Sequence, residues 1–171
     1  MIQRVIFAAS LLAATVASQA AWAQAQAQPA ANIARGKYLT TIGGCNDCHT
    51  PGSFFGKRDM SRTLGGSEVA FEIPNLGAFV GPNLTPDKAT GLGNWTVEQI
   101  VAAIRTGKRP DGRELAPIMP WRDFASLSDS DARSIALYLK NLPAVQNKVP
   151  GPFGPGDKVT TFTMKISPPA P

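Results

Sequence analysis

Apolar residues recur with a helical period in three stretches of the chain, and long segments without any period separate them. The first stretch follows Asn32, a residue suited to cap a helix, with Ile33, Tyr38, Leu39 and Ile42 on its apolar side and Gly43-Gly44 loosening the backbone behind it. In the second, Val97, Ile100, Val101 and Ile104 share a face. Thr96 and Gln99 form a capping box ahead of it, Trp95 and Ile100 are spaced as a hydrophobic staple, and Gly107 supplies the stop. The third carries Ile135, Tyr138, Leu139 and Leu142; Ser128 caps it, Asp129 and Asp131 complement its positive end, and Pro143 ends it.

The intervening segments read as irregular. Gly52, Gly56, Gly65, Gly66, Pro74 and Gly77 interrupt residues 51–80, which predicts a long loop with room for a short hairpin around Gly65-Gly66. Pro110, Pro117 and Pro120, with the Asp111-Gly112 turn, exclude regular structure over 108–120. Seven prolines in the 29 residues from Pro143 onward predict an extended, partly mobile tail. At the other end, Arg4, the apolar run Val5 to Val16 and the small-residue site Ala21-Trp22-Ala23 match an export signal cleaved after Ala23. That run is shorter than the roughly 20 residues a membrane span needs. The expected organisation is a signal peptide over 1–23, a flexible stretch over 24–31, one all-α domain over 32–143 built on three to four helices with long loops, and a Pro-rich tail over 144–171. No other segment is apolar enough to cross a membrane, so the expected location is the periplasm.

Composition agrees with one globular domain: 43% of the 171 residues are hydrophobic and 17% charged, while 16 Gly and 15 Pro demand much loop. The formal charge of +5 becomes +4 without Arg4. The Lys and Arg residues form no dense run with interleaved aromatics, which excludes nucleic acid as a partner; an acidic protein surface fits better.

Residues 45 to 49 read C-N-D-C-H and hold both cysteines and the one histidine of the chain. A disulfide here would close a tiny loop and constrain little. A thioredoxin-like pair belongs at the start of a helix after a strand, whereas a helix with a glycine break precedes Cys45. A structural zinc site needs a fourth ligand that no remaining Cys or His can supply. Covalent haem attachment uses all three residues: Cys45 and Cys48 form thioethers, and His49 coordinates the iron. For the opposite axial position the candidates are Met60, Met119, Met164, a lysine or water. Met119 is favoured because Pro117 and Pro120 hold its backbone extended in a proline-bounded loop between two helices, whereas a core methionine is more often on a helix face. An iron with His49 and Met119 on its two faces has no open position and passes electrons; an open position would instead allow peroxide chemistry or gas sensing, for which no second histidine is available as acid-base group. Arg105, Lys108, Arg109 and Arg113 around the approach to Met119 are either a solvated face or a basic rim that steers an acidic partner.

With these residues the chain resembles class I c-type cytochromes over about residues 33–143. Gly36-Lys37-Tyr38-Leu39 with C-N-D-C-H is similar to the family's N-terminal helix and haem motif, and Ser128 to Pro143 to the C-terminal helix that crosses it. Gly81-Pro82-Asn83-Leu84 is similar to the segment whose proline carbonyl accepts a hydrogen bond from the ligating imidazole, which gives Pro82 the orientation of His49. More narrowly, Asn83 to Asp87, Gly91 to Thr96 and Pro117 to Trp121 resemble the haem domains in cytochrome subunits of bacterial alcohol and gluconate dehydrogenases. The resemblance implies covalently bound haem c, one group for the one C-N-D-C-H motif, an electron carrier rather than an enzyme, and redox proteins as partners: a dehydrogenase as donor and a cytochrome or oxidase as acceptor. Trp121 and Phe124 are expected to wall the haem pocket, Trp95 to sit in the core, and Tyr38 and Tyr138 to pack where the terminal helices cross.

Overall fold

A computed structural model describes residues 29, 30, 32–165 and 167. The expected signal peptide and nearly all of the flexible stretch lie outside the described residues. Helix α1 is helical at 29 and 30 and continuous over 32–42, so it begins before Asn32, which is a helical residue and not the cap. One turn, α2 (Cys45–His49), follows after Gly43 and Gly44. The next helix, α3 (Val97–Thr106), carries the predicted capping box at Thr96 and Gln99 and stops at Gly107 in the left-handed region. A four-residue helix, α4 (Trp121–Phe124), was not foreseen. Last comes α5 (Asp129–Lys140), with the Ser128 hydroxyl accepting from the Asp131 amide.

The expected all-α class is overturned by a three-stranded mixed sheet. Strands β1 (Val69–Ile73) and β2 (Gly77–Val80) form an antiparallel hairpin, and β3 (Phe162–Lys165), from the Pro-rich tail, lies parallel to β1 on its other side. The hairpin turns at residues 74–76, with Asn75 at φ 64, and not at Gly65-Gly66. Gly66 instead donates to the His49 carbonyl at 2.8 Å, directly beside α2. The strands escape a reading by period because each has only four or five residues, and β1 finds its parallel partner some ninety positions away.

Two contacts set the frame around α2. The terminal helices cross at Gly36: a Cβ there would lie 2.0 Å from the Ser134 carbonyl oxygen and 2.7 Å from Tyr138 Cβ, so only a glycine lets the two backbones approach this closely. Arg35 clasps Asp131 on the rim of the same crossing. The core then gathers Leu39, Leu64, Leu92, Ile100, Ile135, Ala136 and Leu139, with Cys45, Trp95 and Tyr138 packed against it. Tyr38 departs from its expected place: it is 54% exposed, with the Arg35 guanidinium 5.4 Å from its ring centre.

The tail is tied to the body by buried polar groups. Asn83 Nδ2 donates to the Val145 carbonyl at 2.6 Å, Asn147 Nδ2 donates to the Gly65 carbonyl at 2.8 Å, and Phe153 exchanges two backbone bonds with Ala78. Among the described residues no helix is long and apolar enough to cross a membrane.

Candidate functional site

The C-N-D-C-H stretch folds as a single helical turn, which brings Cys45 and Cys48, three positions apart, to one side of α2. Both thiols are free. Burial pushes Cys45 up to about 11 and raises Cys48 as well, so neither sulfur is a poised thiolate of the kind a dithiol redox catalyst needs. Among the described residues no three Cys, His, Asp or Glu side chains are placed to hold a bare metal ion.

His49 is 6% exposed, and burial lowers its pKa, which keeps the ring neutral. Its Nδ1 lies 2.8 Å from the Pro82 carbonyl oxygen. A carbonyl only accepts, so Nδ1 carries the single proton of the neutral ring and Nε2 presents a lone pair. Nε2 has no hydrogen-bond partner among the described residues, as an imidazole destined for a metal requires. The approach of Pro82 depends on Gly81, where a Cβ would sit 1.7 Å from the Cys48 carbonyl oxygen and 3.4 Å from His49 Nδ1. Two backbone bonds fix the loop behind the ring: Gly66 to the His49 carbonyl, and Ser67 to the Gly81 carbonyl at 2.9 Å. Thr50, fully buried, bridges Asn46 and the Leu64 amide. Nothing local in the sequence marks Thr50 or Asn46 for this role, since any threonine has the same bonding capacity.

Met119 is half-buried in the turn that leads into α4, its amide donating to the Ala116 carbonyl at 2.9 Å and its carbonyl accepting from Trp121 at 2.8 Å. Just beyond it, α4 reaches the haem-type motif: Phe124 Cε1 lies 3.7 Å, and Cys45 Sγ 3.9 Å, from the point where a Gly43 side chain would begin. Trp121 fills the space beside Gly107 at the end of α3. Met60 and Met164 are 66% and 45% exposed.

The basic residues are less free than their sequence positions suggest. Arg105 pairs with Asp129, and Arg109 pairs with Asp111 while lying 5.2 Å from the centre of the Trp95 ring. Lys108 and Arg113 make no ion pair among the described residues. Lys140, unremarked in the sequence, donates to the Leu92, Gly93 and Trp95 carbonyls at 2.9 to 3.2 Å and pins the loop that presents Trp95.

Two thiols on one face of a turn, followed by a neutral imidazole with a free Nε2, fit haem c and no bare metal ion. In keeping with this, the chain is similar to cytochrome c subunits of bacterial dehydrogenases. It is 34% identical over 128 residues to the fructose dehydrogenase cytochrome subunit of Gluconobacter japonicus, covering 71% of this chain and 25% of that protein. It is 37% identical over 131 residues to the cytochrome c subunit of the quinone alcohol dehydrogenase of Gluconobacter oxydans, covering 75% and 26%. A diheme c-type cytochrome of Cereibacter sphaeroides is 37% identical over 118 residues, covering 66% and 36%. The chain thus spans about a quarter to a third of the length of these relatives. No family model matches it. Such relatives imply haem c as the cofactor.

Proposed function

We propose that this chain is an exported, mono-haem c-type cytochrome that passes single electrons from a periplasmic or membrane-bound dehydrogenase to a downstream cytochrome or terminal oxidase. The observation that carries the reading is the buried neutral His49, with Nδ1 engaged by Pro82 and Nε2 free, one residue after the second of two unbridged thiols. The haem supplies an iron that changes oxidation state by one electron without making or breaking a substrate bond.

Each residue then has a task. Cys45 and Cys48 hold the cofactor through thioether bonds, so it cannot be lost by dilution. His49 would hold the iron through Nε2, and the Pro82 carbonyl fixes the tautomer and ring orientation this needs. Met119 would supply a thioether as the second protein ligand, which favours ferrous iron and raises the reduction potential. Phe124, beside Gly43 and Cys45, and Trp121, beside Gly107, would wall the cofactor and keep water from it. Lys108 and Arg113, free of ion pairs among the described residues, are cations near Met119 that would steer an acidic partner.

A second reading, a fixed electron-transfer subunit of a dehydrogenase, is favoured by the relatives, which are themselves named as subunits. Purification from the native source in high salt separates the two: a stoichiometric complex with a dehydrogenase supports the subunit, and a lone cytochrome supports the carrier.

The axial assignment is tested by Met119→Ala. The variant is expected to keep its covalent haem, lose the weak long-wavelength sulfur-to-iron band and fall in potential. A wild-type protein that lacks this band and binds carbon monoxide readily would contradict the carrier and point to gas or peroxide chemistry.

A further inference from the structure

The sheet side exposes apolar surface that the electron-transfer reading does not use. Phe71 and Val69 of β1, Phe79 of β2, and Phe162 and Met164 of β3 are register partners and therefore share one face of the sheet. The turn after α2 lays two rings on that face. Phe54 meets Phe71 edge-on at 5.4 Å, and Phe55 meets Phe162 at 4.9 Å. The outer members are open to solvent: Phe55 is 54%, Phe162 63% and Met164 45% exposed. A cluster of this kind, assembled from three separate segments, is more than the scattered apolar residues of an ordinary surface. β3 also has a free edge. Among the described residues it pairs with β1 alone, and all four of its residues are exposed. An exposed strand edge is a template for another strand.

Charge decides what fits there. Residues 47–72 and 157–165 hold five Lys and Arg against five Asp and Glu, so this side is neutral, and the +4 that remains without Arg4 lies entirely on the rest of the chain. Three of the pairs are joined directly, Arg58 with Asp47, Arg62 with Asp59, and Lys165 with Glu72. An acidic protein or an anionic lipid surface is drawn to the basic remainder instead. A second copy of the chain carries the same positive excess, and segments without net charge are where two copies meet with least repulsion. Antiparallel pairing of one strand edge with its own copy also needs no second surface, because a two-fold axis makes the edge its own complement.

We propose that the β3 edge is a self-association surface: two copies join by antiparallel pairing of their Phe162–Lys165 edges about a two-fold axis. The pairing merges two three-stranded sheets into one. It also brings Phe162 and Met164 of each copy beside their counterparts on a shared face. This inference stands on the sheet alone and does not rest on the haem reading.

Sedimentation equilibrium of the full, haem-loaded chain, over concentrations from about 1 to 100 µM, reads it out. The wild type is expected to reach twice the chain mass in the upper part of the range and to stay there in added salt, while backbone amides of 162–165 exchange more slowly as concentration rises. Phe162→Asp and, on a separate segment, Phe55→Lys are each expected to weaken the dimer by about tenfold or more. Unchanged haem absorbance and melting temperature would show that both variants fold. A wild type that is monomeric throughout overturns the proposal. So does a dimer indifferent to both substitutions, or a monomer that uses this face to bind vesicles of phosphatidylcholine and phosphatidylglycerol.

Discussion

The helical side and the sheet side of this molecule are held together by different means. Around α2 the backbone is placed by close approach: α1 meets α5 across Gly36, and Gly81 lets Pro82 reach His49. On the sheet side, strands four and five residues long depend on pairing and on a buried network in which Asn83, 1% exposed, ties Thr85, Thr90 and Val145 together. The charge differs as well: residues 47–72 and 157–165, which build the apolar sheet face, carry no net charge, whereas the rest of the chain is basic. A rigid, desolvated frame suits a site that must hold one ligand geometry, whereas a polar network with a free edge suits a surface that meets another chain.

Substitutions in the two regions sharpen the contrast. The largest effect is expected from Gly36→Val, since a side chain there collides with the Ser134 carbonyl oxygen at 2.0 Å. Forcing the helices apart should cost about 3 kcal/mol and lower the Tm by on the order of 10 °C, measured by thermal unfolding. Next is Asn83→Ala, which leaves the Thr85 amide without its partner and the Val145 carbonyl with only the 3.4 Å bond from the Thr85 hydroxyl. A loss of about 2 kcal/mol in urea unfolding is expected, with faster amide exchange confined to 145–165. Equal acceleration in α1 and α5 would show that the tail and the helical frame are one cooperative unit.

The smallest effect is electrostatic. The side-chain bond from the Arg35 guanidinium holds the Asp131 carboxyl below its ordinary range. A depressed carboxylate stabilises the fold above its unfolded pKa of about 4, and that stability is lost as pH falls through the folded value. Asp131→Asn should therefore melt slightly below the wild type at neutral pH and converge with it in acid. Because Arg35 is half-exposed, salt should shrink the difference.

The parts legible in the sequence are those specified locally. Thr96 with Gln99, and Ser128 with Asp131, are cap signals within one turn, and the structure makes the bonds they announce. The core places of Leu39, Ile100, Ile135 and Leu139 follow from period alone. What stayed hidden is nonlocal. The all-α expectation failed because β1 and β3 are far apart in sequence and individually too short to show alternation. Gly65-Gly66 carries a turn signal, but those glycines fit beneath Val145 and Val149 of the tail, while Asn75 makes the turn. Asn32 failed as a cap because helical residues precede it. Tyr38 was assigned to the crossing by period, yet Gly36 and Tyr138 fill that space.

Haem joined to α2 is tested most directly by the intact mass of the protein made in a host with haem-attachment machinery. The prediction is one haem added per chain, recovered on the peptide that contains Cys45 and Cys48 and lost when both are changed to Ala. An unmodified mass for the wild type, or haem recovered on any other peptide, would contradict it.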